Sequence, residues 1–446
     1  MWNYLAGTGL ILILLSGCHG IPSTVSQSND TMFPSAINQG TGYQAPYHNH
    51  RNTEPSSRVV VSHHTSRPTK VVDLKALSEL DEIIPRLAEK QVIFIGENHT
   101  RFSDHVNQLA IIRGLSDRGK NIAIGMEFFQ QPFQAYLDDF IAGNINETDL
   151  LSHTEYYERW RYDYRLYQPI LDFAREQDIP LIALNISSEI VKKVSEKGWD
   201  VLTEDNTLTT KELAQIPQTI DRSNKDYEER LRDVFLQHQD FASRNSAGTS
   251  WRWRFPQMGG MKKSHPRKGT TDFQRFMEVQ LLWDESMAAR AAKYVAEHPT
   301  RTFIVLAGSG HLTYGDGIPD RLKERVPVDT AIVLPANGIE PDPGVADFLL
   351  VSEEKHLPRQ GILGIELETN AKGIQVASFL RESAAEAAGI ETRDRIRFID
   401  NHPIKTIADI RLALRYKYPG DRVLVGIHRS NWLTAGKELR FEVELK

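Results

Sequence analysis

The sequence predicts an α/β protein: a mainly parallel sheet flanked by helices, with a small β-rich unit at its C-terminal end. Three observations predict it. From about residue 72 to 340, short apolar runs alternate with longer amphipathic segments, the pattern of βαβ units. Two of those runs break off alike, Val92-Ile93-Phe94-Ile95 into Gly96-Glu97-Asn98-His99 and Phe303-Ile304-Val305-Leu306-Ala307 into Gly308-Ser309-Gly310-His311. From about residue 359 a separate series begins with Ile362-Leu363-Gly364-Ile365 and Gly373-Ile374-Gln375-Val376.

The 446 residues suit two to three domains, and 40% apolar content supplies a sizeable core. A net charge of −6, from 53 basic against 59 acidic residues, excludes bulk nucleic-acid binding. Residues 1–18 read as a lipoprotein signal peptide. Leu10 to Leu15 is an apolar stretch too short to span a bilayer, and it runs into Leu15-Ser16-Gly17-Cys18, a lipobox pattern. Cys18 is the sole cysteine and stands where lipidation needs it, so palmitate or a similar acyl chain is the expected anchor. The n-region, Met1-Trp2-Asn3-Tyr4, carries no Lys or Arg. His19 rather than aspartate after Cys18 favours an outer-membrane destination, facing the periplasm. With one cysteine no intramolecular disulfide is available, and no later stretch is apolar enough to cross a membrane. Residues 19–70, poor in apolar side chains, read as a disordered tether. Its His48, His50, His63 and His64 fit a solvated linker better than a metal-catching tract.

The α/β domain is expected over 71–345. Its strands are predicted at Val92–Ile95, Ile122–Gly125, Pro180–Leu184, Thr302–Leu306 and Thr330–Leu334. Helices are predicted at Asp104–Arg118, Tyr164–Glu176 and Gln274–Glu297. An insertion at about 208–272 interrupts the alternation. It is polar, then carries Trp251-Arg252-Trp253-Arg254-Phe255, Met258-Gly259-Gly260-Met261 and Lys262-Lys263. It fits a lid or binding arm and, equally, a helical hairpin whose aromatics form its core.

The chemistry gathers at the strand ends. In a parallel sheet ligands bind beyond the carboxyl ends of the strands, so both G-x-x-H turns face one crevice. They bring Glu97, His99 and His311 there, and Gly125-Met126-Glu127 adds a second acidic group. His105 and Gln108 share a helix face just past the first turn, with Ser103 or Asp104 as the expected cap. Gln280, Asp284 and Met287 lie along one face of a later helix. Glu97, His99, Glu127 and His311 suit general acid–base work, and His99, His311 and Glu97 suit a divalent metal that activates water. Each residue alone is more simply a cap, an ion pair or a turn residue. The four together indicate a site.

Residues from about 70 to 340 resemble the ChaN-like haem-binding lipoproteins, of a superfamily that includes Tiki-type proteases and erythromycin esterases. The resemblance lies in Ile95-Gly96-Glu97-Asn98-His99 with His105 and Gln108, in Gly125-Met126-Glu127, and in Trp160 through Pro169 leading into Leu184-Asn185. It continues in Gln280, Trp283-Asp284-Glu285, Met287-Ala288 and Ala307-Gly308-Ser309-Gly310-His311. It implies a lipid-anchored protein of haem or iron uptake, with haem bound at a homodimer interface by tyrosine and histidine. Tyr156, Tyr157, Tyr162 and Tyr164, clustered with Tyr167, are the candidate haem contacts, because tyrosinate is a hard anionic axial ligand for ferric iron. His265, in the insertion, is another.

Residues 355–446 resemble a bacterial PDZ domain in the two segments quoted above and in Ser383 to Ile390, Asp394 to Asp400, Ile407 to Ile410 and Pro419 to Val423. The resemblance implies a groove in which Ile362, Leu363, Gly364 and Ile365 hold the carboxylate of a protein's C-terminal peptide. Arg393 departs from it, standing where such domains usually carry glycine. Three functions follow as alternatives: haem capture at the outer membrane, a metal-dependent hydrolase of protease or esterase type, and a PDZ adaptor with an inactive first domain.

Overall fold

The chain alternates strands buried on both faces with helices that cover them. The computed structural model describes residues 72, 74–204, 208–244, 270–371, 373–431 and 434–446. Cys18, the tether at 19–70, His265 and the Trp251–Phe255 cluster lie outside the described residues.

Six strands form the first sheet: β1 Val92–Glu97, β2 Ile122–Gln130, β3 Leu181–Asn185, β4 Thr302–Gly308, β5 Thr330–Pro335 and β6 Phe348–Leu350. Their order is β3-β2-β4-β1-β5-β6, and every pairing is parallel. The first five match the sequence expectation, although β1, β2 and β4 run two to five residues further, up to the site. The sequence reading missed β6, whose three half-buried residues are too few to show a period.

Alternation along the strands splits the core in two. Ile93, Ile95, Ile124, Ile304 and Leu306 pack on one face, beneath α1 Leu80–Ala88, α2 Phe102–Ser116, α3 Gln134–Ile141, α4 Glu147–His153, α5 Tyr156–Arg159 and α6 Gln168–Glu176. Val92, Phe94, Phe303, Val305 and Leu334 pack on the other. On that side the chain continues through α7 Ser188–Lys197, α8 Val201–Glu204, α9 Thr210–Leu213, α10 Lys225–Arg244, α11 Thr270–Glu297 and α12 Ile318–Arg325.

Two expectations need correcting. The helix predicted over Tyr164–Glu176 is broken, because a 3₁₀ turn at Tyr164–Leu166 precedes α6, which starts with Pro169 in its first turn. Neither Ser103 nor Asp104 caps α2. Arg101 occupies the cap position without a side-chain capping bond, while Asp104 accepts the Asn98 N–H and Ser103 Oγ accepts that of Lys355. In the described part of the insertion α10 packs on α11. Tyr227, Leu231 and Phe235 of α10 pack against Phe273, Phe276 and Leu281 of α11.

The C-terminal unit is a second sheet of order β12-β11-β9-β8-β7, made of β7 Ile365–Asn370, β8 Gly373–Phe379, β9 Arg395–Ile399, β11 Arg422–Asn431 and β12 Thr434–Glu444. The short β10 His402–Pro403 pairs with β9, and α13 Ala384–Ala387 and α14 Ile407–Leu414 complete the unit. Arg393, the departure seen in the sequence, is held at φ 71, a conformation glycine adopts at no steric cost. Among the described residues no helix is long and apolar enough to cross a membrane.

Candidate functional site

The two G-x-x-H turns end neighbouring strands. In the β1–β4 register Glu97 lies opposite Gly308, so both turns leave the sheet side by side. The chain continues into α2 on one face and toward α12 on the other, which opens a crevice between the strand ends. Glu97, His99, Glu127 and His311 meet there, as their spacing predicts.

Glu97 is the hub of the first cluster and is 4% exposed. Its Oε1 accepts from His99 Nδ1 at 2.7 Å and from the Tyr167 hydroxyl at 2.8 Å. Its Oε2 accepts from Gln108 Nε2 at 3.0 Å and lies 3.1 Å from His105 Nδ1. Trp160 Nε1 in turn donates to the Tyr167 hydroxyl at 3.2 Å. Burial would raise the Glu97 pKa, but the charge of His105 and hydrogen bonds from His105 and His99 outweigh it and hold the carboxyl well below its usual range. Burial would likewise lower the pKa of His99. The hydrogen bond to Glu97 and the charges of Glu127 and Glu97 reverse that and raise it.

The second cluster is built on His311. Its Nδ1 pairs with Asp284 Oδ1 at 2.5 Å, and Tyr227 donates to Asp284 Oδ2 at 2.6 Å. Its Nε2 lies 3.5 Å from Glu127 Oε1, while Glu127 Oε2 accepts the Gly308 N–H at 2.6 Å. Burial opposes the charged imidazole here too. The charges of Asp284 and Glu127, and hydrogen bonds to both, overcome it and raise the His311 pKa to about 10. Glu127 is lowered, against its own burial, chiefly by the charge of His311. His311 is therefore cationic at neutral pH. His99, oriented through Nδ1 by a carboxylate, turns Nε2 toward Gly308 and Glu127, the arrangement of an imidazole ready to accept or deliver a proton.

Close approach between the clusters depends on Gly308. A Cβ there would lie 2.9 Å from His99 Cε1 and 3.0 Å from its Nε2. Gly308→Ala is expected to push the ring off Glu97 and to cost about 1–3 kcal/mol. Urea denaturation measures the cost and histidine NMR follows the ring. An unchanged His99 titration would show that the close approach is not needed.

The expected metal set is not met. The imidazoles and carboxylates pair off with one another, and among the described residues no three His, Cys, Asp or Glu side chains form a group able to hold a metal ion. The tyrosine candidates separate by burial. Tyr156 and Tyr164 are enclosed in the core, their hydroxyls have no hydrogen-bond partner, and burial pushes both phenols well above the usual range. Tyr157 is 8% exposed and is pushed up in the same way. These three pack the aromatic core and are not placed to reach a ligand in the crevice. Tyr162 alone lies at the crevice rim, its ring 5.0 Å from that of His99, with burial raising its pKa to about 12. Trp160 flanks the same imidazole at 4.8 Å. The sequence reading assigned no role to Tyr227. It sits in a polar stretch, and only the fold of α10 onto α11 reveals its hold on Asp284.

In the C-terminal unit β7 is an edge strand, with the Ile362–Ile365 segment leading into it. Gly364 turns at φ 72, where a Cβ would lie 2.9 Å from the Ser383 Cα. The Ile362 N–H already bonds a main-chain oxygen of Lys446 at 2.9 Å, so it is not available to a peptide carboxylate.

Residues 83–322, more than half of the chain, match the family model described as haem-binding uptake, Tiki superfamily, ChaN. The chain belongs to the ChaN family. Residues 361–445 match the PDZ domain model, so this ChaN-family chain carries a C-terminal PDZ domain. Among solved structures it is similar to ChaN of Campylobacter jejuni with cofacially bound haem, at 17% identity over 60% of this chain and 90% of that one, TM-score 0.44. It is also similar to an erythromycin esterase in its open conformation, at 14% identity over 57% and 72% of the two chains, TM-score 0.31. The PDZ part is similar to the HtrA-type protease AlgW with a decapeptide, at 20% identity over 19% and 29%, TM-score 0.17. At these scores the likenesses say nothing about function. No curated protein matches the sequence.

Proposed function

We propose that this chain binds haem as cargo at the cell envelope. In this reading it is held at the outer membrane by a lipid on Cys18, pairs as a homodimer, and recruits C-terminal peptides through its PDZ domain. Membership of a family described by haem-binding uptake is the observation that carries the reading. The residues fit it at one place. His99, whose side chain is 23% exposed, and Tyr162 supply an imidazole nitrogen and a phenol oxygen at the crevice rim, both donor types that ferric haem accepts. Glu97 fixes the His99 ring through Nδ1 and so leaves Nε2, on the Gly308 side of the crevice, without that partner.

Titration of purified protein with haemin tests this, with a saturable Soret shift expected. His99→Ala and Tyr162→Phe are expected to weaken binding, and Glu97→Gln, which loosens the ring, to weaken it about 10- to 100-fold. Absence of any saturable shift overturns the haem reading.

The Glu97–His99 pair facing Glu127 and His311 favours a second reading, a hydrolase in which His99 is the general base. Turnover of model esters or peptides that disappears in His99→Gln, with no haem bound, would select it.

A further inference from the structure

The PDZ domain grips the segment that lines the crevice. Both lie in one compact unit, Leu77–Lys446. Helix α14 has two working faces. Ile410, Ala413 and Leu414 enter the PDZ core, while Ala408 and Leu412 pack into the core of the α/β domain. Arg411 and Arg415, on the same stripe as Ala408 and Leu412, reach across. Arg411 Nη1 donates to the Arg161 carbonyl at 2.6 Å, and its guanidinium lies 5.8 Å from the centre of the Tyr157 ring. Arg415 Nη2 donates to Glu147 Oε1 at 2.9 Å and to Thr148 Oγ1 at 3.1 Å, and the Tyr416 hydroxyl donates to Glu147 at 2.8 Å.

The gripped segment is strained and two-sided. Glu155 at φ 50 and Arg161 at φ 72 bracket α5 in the left-handed region, a conformation that persists only where surrounding contacts hold it. Arg161, whose carbonyl Arg411 holds, stands between Trp160 and Tyr162, the two rings that contact His99. Tyr167, further along, donates to Glu97.

We propose that the PDZ domain is a clamp on the Glu155–Tyr167 segment, so that a peptide with a free C-terminal carboxylate, entering between β7 and α14, loosens the aromatic rim of the crevice. The peptide's part rests on the reading of this PDZ domain as a peptide binder. The clamp rests on the contacts alone. Linkage makes the effect reciprocal, so a ligand that orders the rim also weakens peptide capture.

Hydrogen exchange by mass spectrometry on the full chain tests it. Arg411→Ala and Glu147→Gln are expected to speed exchange across residues 155–167 about tenfold. Exchange in β4 should stay unchanged, which shows that the fold persists, and Arg411→Lys should restore part of the protection. A pool of decapeptides with an apolar last residue and a free carboxylate is expected to do the same, and its C-terminal amide counterpart is not. Variants that leave 155–167 unchanged overturn the clamp. A pool that protects 362–367 without affecting 155–167 overturns the link. If the pool fails to protect 362–367, peptide capture itself is refuted, and the variants alone decide the clamp.

Discussion

Raising the pH from 7 to 10 is expected to cost the folded protein on the order of 4 kcal/mol through His311 alone. The sign follows from the direction of the shift. His311 has a folded-state pKa of about 10 against an ordinary 6.5, so the folded state holds its proton more tightly than the unfolded chain. The stability this provides is fully present below pH 6.5 and is lost as the pH rises through about 10. His99, also raised, adds a loss of the same sign. Asp284 on α11 and Glu127 on β2 are the charges that face His311, and Tyr227 backs Asp284. Asp284→Asn removes the larger of the two charge effects and should flatten the alkaline slope. The measurement is urea denaturation from pH 6 to pH 10 on both proteins. Equal slopes for the parent and Asp284→Asn would refute the assignment to His311.

The second large effect is expected from Glu97→Ala, a loss of about 3–5 kcal/mol. Four donors converge on this carboxylate, and truncation takes an acceptor from the Tyr167 hydroxyl, the Gln108 amide and two imidazoles in a buried site. Glu97→Gln keeps the shape and one acceptor oxygen, so it should cost less. In the acid direction the logic reverses. The carboxyl is held below its ordinary 4.5, so its contribution is present above that value and disappears only as the pH falls through its folded value. A Glu97→Ala protein within about 1 kcal/mol of the parent would mean that the network contributes little beyond packing.

The strands were legible because burial on both faces writes continuous apolar runs, and the G-x-x-H turns because two of them end such runs some two hundred residues apart. Glu97, His99, Glu127 and His311 could be grouped for that reason. Their pairing could not. That Glu97 spends itself on His99, His105, Gln108 and Tyr167 rather than on a metal depends on the register of β1 against β4 and on where α6 begins. The tyrosine cluster could not be sorted from sequence for a related reason. Tyr156, Tyr157 and Tyr164 read the same in sequence whether a phenol faces a ligand or a core, and only the fold shows all three buried. Tyr227 was beyond reach, because nothing local to α10 indicates its partner 57 residues on.

The strand order also sets a timetable. β4 is the strand that fits between β2 and β1, yet it begins at residue 302, after every residue of both neighbours has been made. Until it arrives, β1 and β2 expose unpaired edges and the first G-x-x-H turn faces an empty slot. Glu97 cannot meet Gly308, and His311 does not yet exist to hold Glu127. The crevice is therefore completed late, by a long-range insertion of the kind that makes folding slow. A chain cut before residue 302 would carry half of the site on two sticky edges. Cargo or substrate can be engaged only once the central strand has closed the sheet.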